Sequence, residues 1–75
     1  MNMKVYTTEI CVGSYEILAI GDTPENAIKA LVREYHSRFG SFRENGFKNQ
    51  ADWLEWHGVS PEGCRAIKIN SAITK

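Results

Sequence analysis

The sequence lacks the features that mark membrane-spanning and secreted proteins. It has no apolar run near the roughly 18 residues that cross a bilayer, and its first residues have no apolar signal-peptide core. Only two cysteines occur in 75 residues, which is too few for a disulfide framework. These absences predict a cytoplasmic protein that makes no contact with membranes.

Net charge is also absent, because nine basic residues balance nine acidic ones. No overall field therefore draws the protein toward nucleic acid or anionic lipid. The charge is nevertheless uneven, since residues 29–48 contain five lysines and arginines against two glutamates. With 43% hydrophobic and 24% charged residues, the composition is that of a globular chain. The length predicts a single domain over residues 1–75.

The clearest structural signal is a predicted β-hairpin. Glycine before serine at positions 13 and 14 suits a two-residue type II′ turn, which joins strands over residues 3–12 and 15–20. The alternation of apolar residues in both strands predicts the same register as the turn does. In that register the opposed pairs are Val12 with Tyr15, Ile10 with Ile17, and Thr8 with Ala19.

Two helices and a third strand are predicted after the hairpin. The first helix follows an N-cap at Asp22 or Thr23, carries an apolar stripe at helical spacing and ends before Gly40. A short second helix over residues 50–57 and a third strand over residues 64–73 complete the pattern. The order β-β-α-α-β predicts an α+β fold in which both helices cover one face of a three-stranded, mainly antiparallel sheet.

The passage from the second strand into the first helix resembles a short stretch of a known family. In HicB-type antitoxins, Gly-Asp-Thr precedes a helix that opens with an acidic residue and alanine. Here residues 21–23 are Gly-Asp-Thr, and Glu25 and Ala27 follow. The similarity covers residues 17–36, and the loop that precedes this motif in the family is missing. The resemblance implies a similar strand-to-helix passage, and no function is carried over from it.

No motif in the sequence predicts catalysis or metal binding. There is no glycine-rich phosphate loop, and each histidine stands two residues from a glutamate, a spacing that separates the side chains on a helix. Strand alternation predicts both cysteines on one side of the sheet, away from the helices that carry the histidines. We therefore expect a non-enzymatic protein without a metal or cofactor. The residues with zinc-ligand chemistry, whose spacing fits no standard finger, are Cys11, His36, His57 and Cys64.

Two groups of apolar residues predict a protein-binding surface. Val5, Leu18 and Ile20 fall on the sheet face opposite the helices, where a second layer or a partner must cover them. Trp53 and Trp56 lie on the short second helix, and a domain of this size has limited volume for two indoles. Either both tryptophans belong to the core, or one of them is exposed as an interface anchor.

The middle third of the chain predicts an alternative function, the binding of nucleic acid. Three of its cations recur at i, i+4 and i+7 and would form one exposed stripe on the first helix, which the later cations extend. Phenylalanines are interleaved with them, and such rings either stack on bases or seal the core beneath a loop. The cations of this alternative site are Lys29, Arg33, His36, Arg38, Arg43 and Lys48.

The sequence thus predicts a small binding or regulatory protein that acts through a protein partner, a second copy of the chain included. Small accessory and inhibitor proteins of phages and mobile elements have this size and composition, which is an association and not an inference from residues.

Overall fold

The computed structural model describes residues 2–70 of the chain. Its three strands are all antiparallel neighbours and form one open sheet in the order β2-β1-β3. Two helices accompany the sheet, so the predicted α+β fold is confirmed. The elements are β1 (Asn2–Val12), β2 (Tyr15–Gly21), α1 (Pro24–Phe39), a 3₁₀ turn (Arg43–Asn45), α2 (Gln50–His57), a second 3₁₀ turn (Pro61–Gly63) and β3 (Arg65–Asn70).

The hairpin has the predicted register, with Val12 opposite Tyr15 and Ile10 opposite Ile17. Gly13 has a φ of 63° and no residue other than glycine has a positive φ among those described, which is the sign pattern of a type II′ turn. β1 is longer than either partner. Its C-terminal half pairs with β2 and its N-terminal half with β3, so the two ladders share only residues 6 and 7.

The start of α1 depends on three consecutive residues. Thr23 is the N-cap, since its Oγ1 accepts a hydrogen bond of 3.0 Å from the backbone N–H of Asn26. The Asp22 carboxylate accepts a second bond, of 2.7 Å, from the Asn26 side chain. Gly21 lies so close to the helix that a Cβ there would stand 2.8 Å from the Cα of Ala27. The Gly-Asp-Thr sequence is thus explained by close packing and capping.

The core joins the inner face of the hairpin to both helices. Tyr35 of α1 is 2% exposed and lies at its centre, with its ring centroid 4.9 Å from that of Trp53 in α2. Trp53 is fully buried, and its Nε1 has no hydrogen-bond partner among the described groups. An unsatisfied donor costs about 1–3 kcal/mol, which burial of the indole offsets. The buried cluster is Ile10, Ile17, Ala19, Ile28, Leu31, Tyr35, Trp53 and Val59.

Three details differ from the sequence-based predictions. The segment predicted as loop before α2 contains the 3₁₀ turn, which Ser41 and Glu44 stabilise by reciprocal side chain to backbone hydrogen bonds. Tyr15 was predicted to face the core together with Ile17, but it is 58% exposed. It lies at the end of the hairpin, where its ring meets that of Phe39 edge to face. β3 begins at Arg65, and the predicted strand residues 71–73 lie outside the described part.

We expect Gly21→Ala to destabilise the fold by at least about 2 kcal/mol, because the new Cβ would meet the backbone at the start of α1. Gly63→Ala is the matched control. Its Cβ would lie 3.3 Å from the movable Ser60 hydroxyl, so a change below about 1 kcal/mol is expected. Urea unfolding of both variants measures the difference, and equal stabilities would contradict the close approach.

Candidate interaction surfaces

The two tryptophans of α2 have opposite environments. Trp53 is 0% exposed, whereas Trp56 is 75% exposed. Trp53 is the one residue of α2 that is buried. Its ring lies between those of Tyr35, Phe42 and His57. Of the two interpretations, that with one exposed indole is confirmed. Trp53 is removed from the candidate partner contacts, because a fully buried side chain cannot meet a partner while the domain stays folded.

Trp56 forms one wall of a shallow groove of about 320 Å³. The Phe47 ring stands across from it, with centroids 6.3 Å apart and an interplanar angle of 62°, so the two rings form a corner. Asp52 lies one helical turn before Trp56 on the same face of α2, and Asn45 and Gly46 complete the lining. Sequence reasoning missed this groove, although the i, i+4 spacing of Asp52 and Trp56 was available as a signal.

The outer face of the sheet, opposite the helices, carries the predicted apolar group. Leu18 and Ile20 are 62% and 57% exposed, and Val5 is half-buried beside Ile67 of β3, its cross-strand partner. Within residues 2–70 no second layer covers this face. The prediction that these residues share one face is confirmed by the register, and their contact with a partner stays a prediction.

A second groove follows the open edge of β2. It has a volume of about 480 Å³ and lies between residues 16–20 of the strand and one side of α1. Three α1 residues at i, i+4 spacing line it: Ala30, Glu34 and Arg38. Glu34 and Arg38 form an ion pair of 2.5 Å, which leaves this wall electrically neutral.

The cations of the alternative site are exposed but divided between different surfaces. Lys29, Arg33 and His36 form the predicted stripe on α1. Arg38 was expected to extend this stripe. That expectation is wrong, because Arg38 is still within α1, about half a turn around the helix from Lys29, and pairs with Glu34. Arg43 lies in the 3₁₀ turn, and Lys48 lies just before α2.

The phenylalanines of the same segment are turned toward the core. Phe39, Phe42 and Phe47 are all partly buried and packed against the core cluster. Phe42 stacks on Tyr35 at a centroid distance of 5.9 Å and contacts Trp53 at 5.2 Å. Rings held in this way have few free faces for nucleobases. Of the two interpretations of these residues, sealing of the core is the one that the packing supports.

The candidate zinc ligands do not form a cluster. Cys11 is exposed on the outer face, whereas the Cys64 sulfur packs on the helix side, 3.8 Å from the carbonyl oxygen of Pro24. The prediction that the two cysteines share a side is wrong, because the register places Ala66 opposite Tyr6, on the helix side, and Cys64 has the same phase as Ala66. Burial raises the pKa of the Cys64 thiol, which keeps it protonated at neutral pH. In residues 2–70, no three ligand-type side chains lie together.

Two further titratable groups are shifted by their surroundings. Burial of the His57 ring, which packs on Trp53 at a centroid distance of 5.1 Å, lowers its pKa below the ordinary value of 6.5. Hydrogen bonds from Ser41 lower the pKa of Glu44 below 4.5. Both shifts belong to packing and capping contacts, so neither marks a reactive group.

The chain has no significant match among protein-family profiles, curated proteins or solved structures. None of the helices in residues 2–70 has the length and apolar character needed to cross a bilayer.

We expect Leu18→Lys to change the free energy of unfolding by no more than about 0.5 kcal/mol, since the side chain is exposed. Ile17→Lys is the matched control on the opposite face. It should unfold the domain, because it places a charge in the core. Circular dichroism and urea titration compare the two. If the outer face binds a second copy, Leu18→Lys also lowers the mass measured by light scattering, and an unfolded Leu18→Lys protein would show that this face is core.

We expect the thermal midpoint to fall as the pH is lowered from about 7.5 to 5.5. The lowered pKa of His57 means that the unfolded chain binds more protons in this range, so stability decreases as the pH falls below 6.5. His57→Phe keeps a packed ring and should reduce the slope, whereas His36→Gln keeps His57 and should preserve it. Equal slopes in all three proteins would contradict this origin. Glu44 acts in a separate window, below pH 4.5.

Proposed function

We propose that this protein is a small binding or regulatory module that acts through a protein partner, with Trp56 as the central contact. The observation that carries the proposal is the 75% exposure of this indole beside Phe47, at the rim of a groove. Exposed tryptophans are costly to keep in water and are enriched among the residues that dominate binding energy. The outer sheet face adds Leu18 and Ile20 as a second apolar surface.

The rigidity of the site supports the same proposal. Trp56 is on an eight-residue helix that Asn49 caps at one end and Gly58 ends at the other. Trp53 anchors this helix to the core, so the position of Trp56 is set before any partner arrives. Because the helix that carries Trp56 is already formed, binding does not have to order its backbone, which favours affinity.

A non-enzymatic role fits the chemistry of the described residues. Among residues 4–67 no charged side chain is buried, and the two grooves are shallow and open to solvent. A binding module needs no water-excluding pocket, whereas general acid–base chemistry depends on groups whose protonation the site controls.

Nucleic-acid binding stays the second candidate, on the observation that Lys29, Arg33 and His36 share one exposed face of α1. Three basic side chains on one helix face would meet phosphates, and such binding weakens steeply as salt increases. Arg33→Glu combined with Arg43→Glu would then abolish binding without loss of stability. We rank it second because the aromatic rings of this segment pack inward.

We expect Trp56→Ala to reduce partner affinity by at least about 30-fold, the effect of a hot-spot contact of about 2 kcal/mol, with unfolding free energy unchanged within about 0.5 kcal/mol. Capture of the partner from a nuclease-treated lysate, followed by titration with the purified partner, measures the loss. Trp53→Ala is the contrasting variant and should destabilise the domain by about 3–5 kcal/mol. Full capture by Trp56→Ala, or capture that nuclease abolishes, would overturn the proposal.

A further inference from the structure

We propose that the groove beside Trp56 binds a guanidinium group, so that the partner inserts an arginine side chain between Phe47 and Trp56. This inference rests on the proposed function, because it names the chemistry that the Trp56 surface recognises. Three properties of the groove support it: the orientation of the two rings, the position of the Asp52 carboxylate and a lining that contains no cation.

The rings offer two faces to one ligand. At 62° and 6.3 Å between centroids, Phe47 and Trp56 enclose a corner and do not stack on each other. The indole is 75% exposed, which leaves much of its surface available. The negative π-face of tryptophan attracts cations more strongly than that of any other side chain, and a planar guanidinium stacks on it.

The Asp52 carboxylate is positioned, and no cation among residues 4–67 forms an ion pair with it. One Asp52 oxygen accepts a hydrogen bond of 3.2 Å from the backbone N–H of Lys48, and the backbone N–H of Asp52 itself donates to the Asn49 cap. The first bond orients the carboxylate, and the second fixes the backbone that carries it, one turn before Trp56. Among residues 4–67, whose side chains are described, the one ion pair is Glu34 with Arg38, so Asp52 is free to accept from a ligand.

The remaining polar group of the groove is also an acceptor. The Asn45 amide donates both of its N–H groups to backbone carbonyls, those of Phe39 at 2.9 Å and Ser41 at 2.8 Å. Its oxygen is therefore the part of the amide that is left for a ligand. Gly46 adds no side chain, and none of the five lining residues is a cation. A groove of acceptors and aromatic faces fits a ligand rich in donors.

Arginine fits this combination better than lysine or an apolar side chain. Its five N–H donors lie in the plane of a group that also stacks on an indole, so it meets the carboxylate and the ring at the same time. Lysine concentrates its charge at one hydrated point, and an apolar side chain would leave the Asp52 carboxylate without a partner beside it.

The test uses N-acetyl-arginine amide as the probe and N-acetyl-citrulline amide, a neutral molecule of nearly the same shape, as its control. Binding is followed by the NMR signal of the Trp56 indole N–H, with the buried Trp53 signal as an internal reference. We expect saturable shifts of Trp56 alone, with about tenfold weaker binding of citrulline. Equal affinities for the two probes, or no shift of Trp56 with arginine, would overturn the inference.

Variants locate the site on α2. Asp52→Asn keeps an acceptor for the Lys48 N–H and should weaken arginine binding about threefold, whereas Glu55→Gln, the same charge change outside the groove, should change it less than twofold. Trp56→Leu should also weaken it about threefold. Equal effects of Asp52→Asn and Glu55→Gln would show that arginine responds only to the overall charge of the domain, and would contradict a specific site in the groove.

The failure of this inference is distinguishable from the failure of the proposed function. If Trp56→Ala loses the partner but arginine amide does not bind, Trp56 is still the anchor and the guanidinium assignment is wrong. If arginine amide binds in the groove but Trp56→Ala retains the partner, the protein-binding role of Trp56 is wrong.

Discussion

The contact between Tyr35 and Trp53 is the interaction on which the rest of the structure depends. A helix of eight residues is too short to be stable alone, so α2 exists because Trp53 packs on the tyrosine at 4.9 Å. Tyr35 in turn lies on α1, which the hairpin supports through Ile10 and Ile17. The contact therefore links α1, which packs on the hairpin, to α2, which carries Trp56.

This arrangement places one buried and one exposed tryptophan within one short helix. The buried indole supplies the packing energy, while the exposed indole three residues later adds little to the fold and is available for contact. The same division recurs in the hairpin, where Ile17 faces the helices and Leu18 faces solvent. A chain of 75 residues buries a limited fraction of its surface, so several large apolar side chains stay outside the core. Those side chains are the candidate contacts.

Because the net charge is zero, the electrostatic interactions of this protein depend on where individual charged side chains lie. Arg38 shows this most directly, because it pairs with Glu34 one turn earlier and so does not contribute to a basic surface. Asp52 is the opposite case, a carboxylate beside two aromatic rings that no cation among residues 4–67 pairs with. A single charge in such a position selects one side chain of a partner, and it contributes little to attraction over a distance.

The sequence by itself determined the hairpin register, the start of α1 to within one residue and the order of the helices and strands, because turn chemistry, capping and period-two alternation are local properties of the chain. The tertiary structure decided which tryptophan is exposed, where Cys64 points and which residues meet in the groove beside Trp56. Trp53 and Trp56 are only about 60° apart on the helix, so periodicity could not separate them. The phase of the third strand was equally hidden, since the register between β1 and β3 decides which of its residues face the helices.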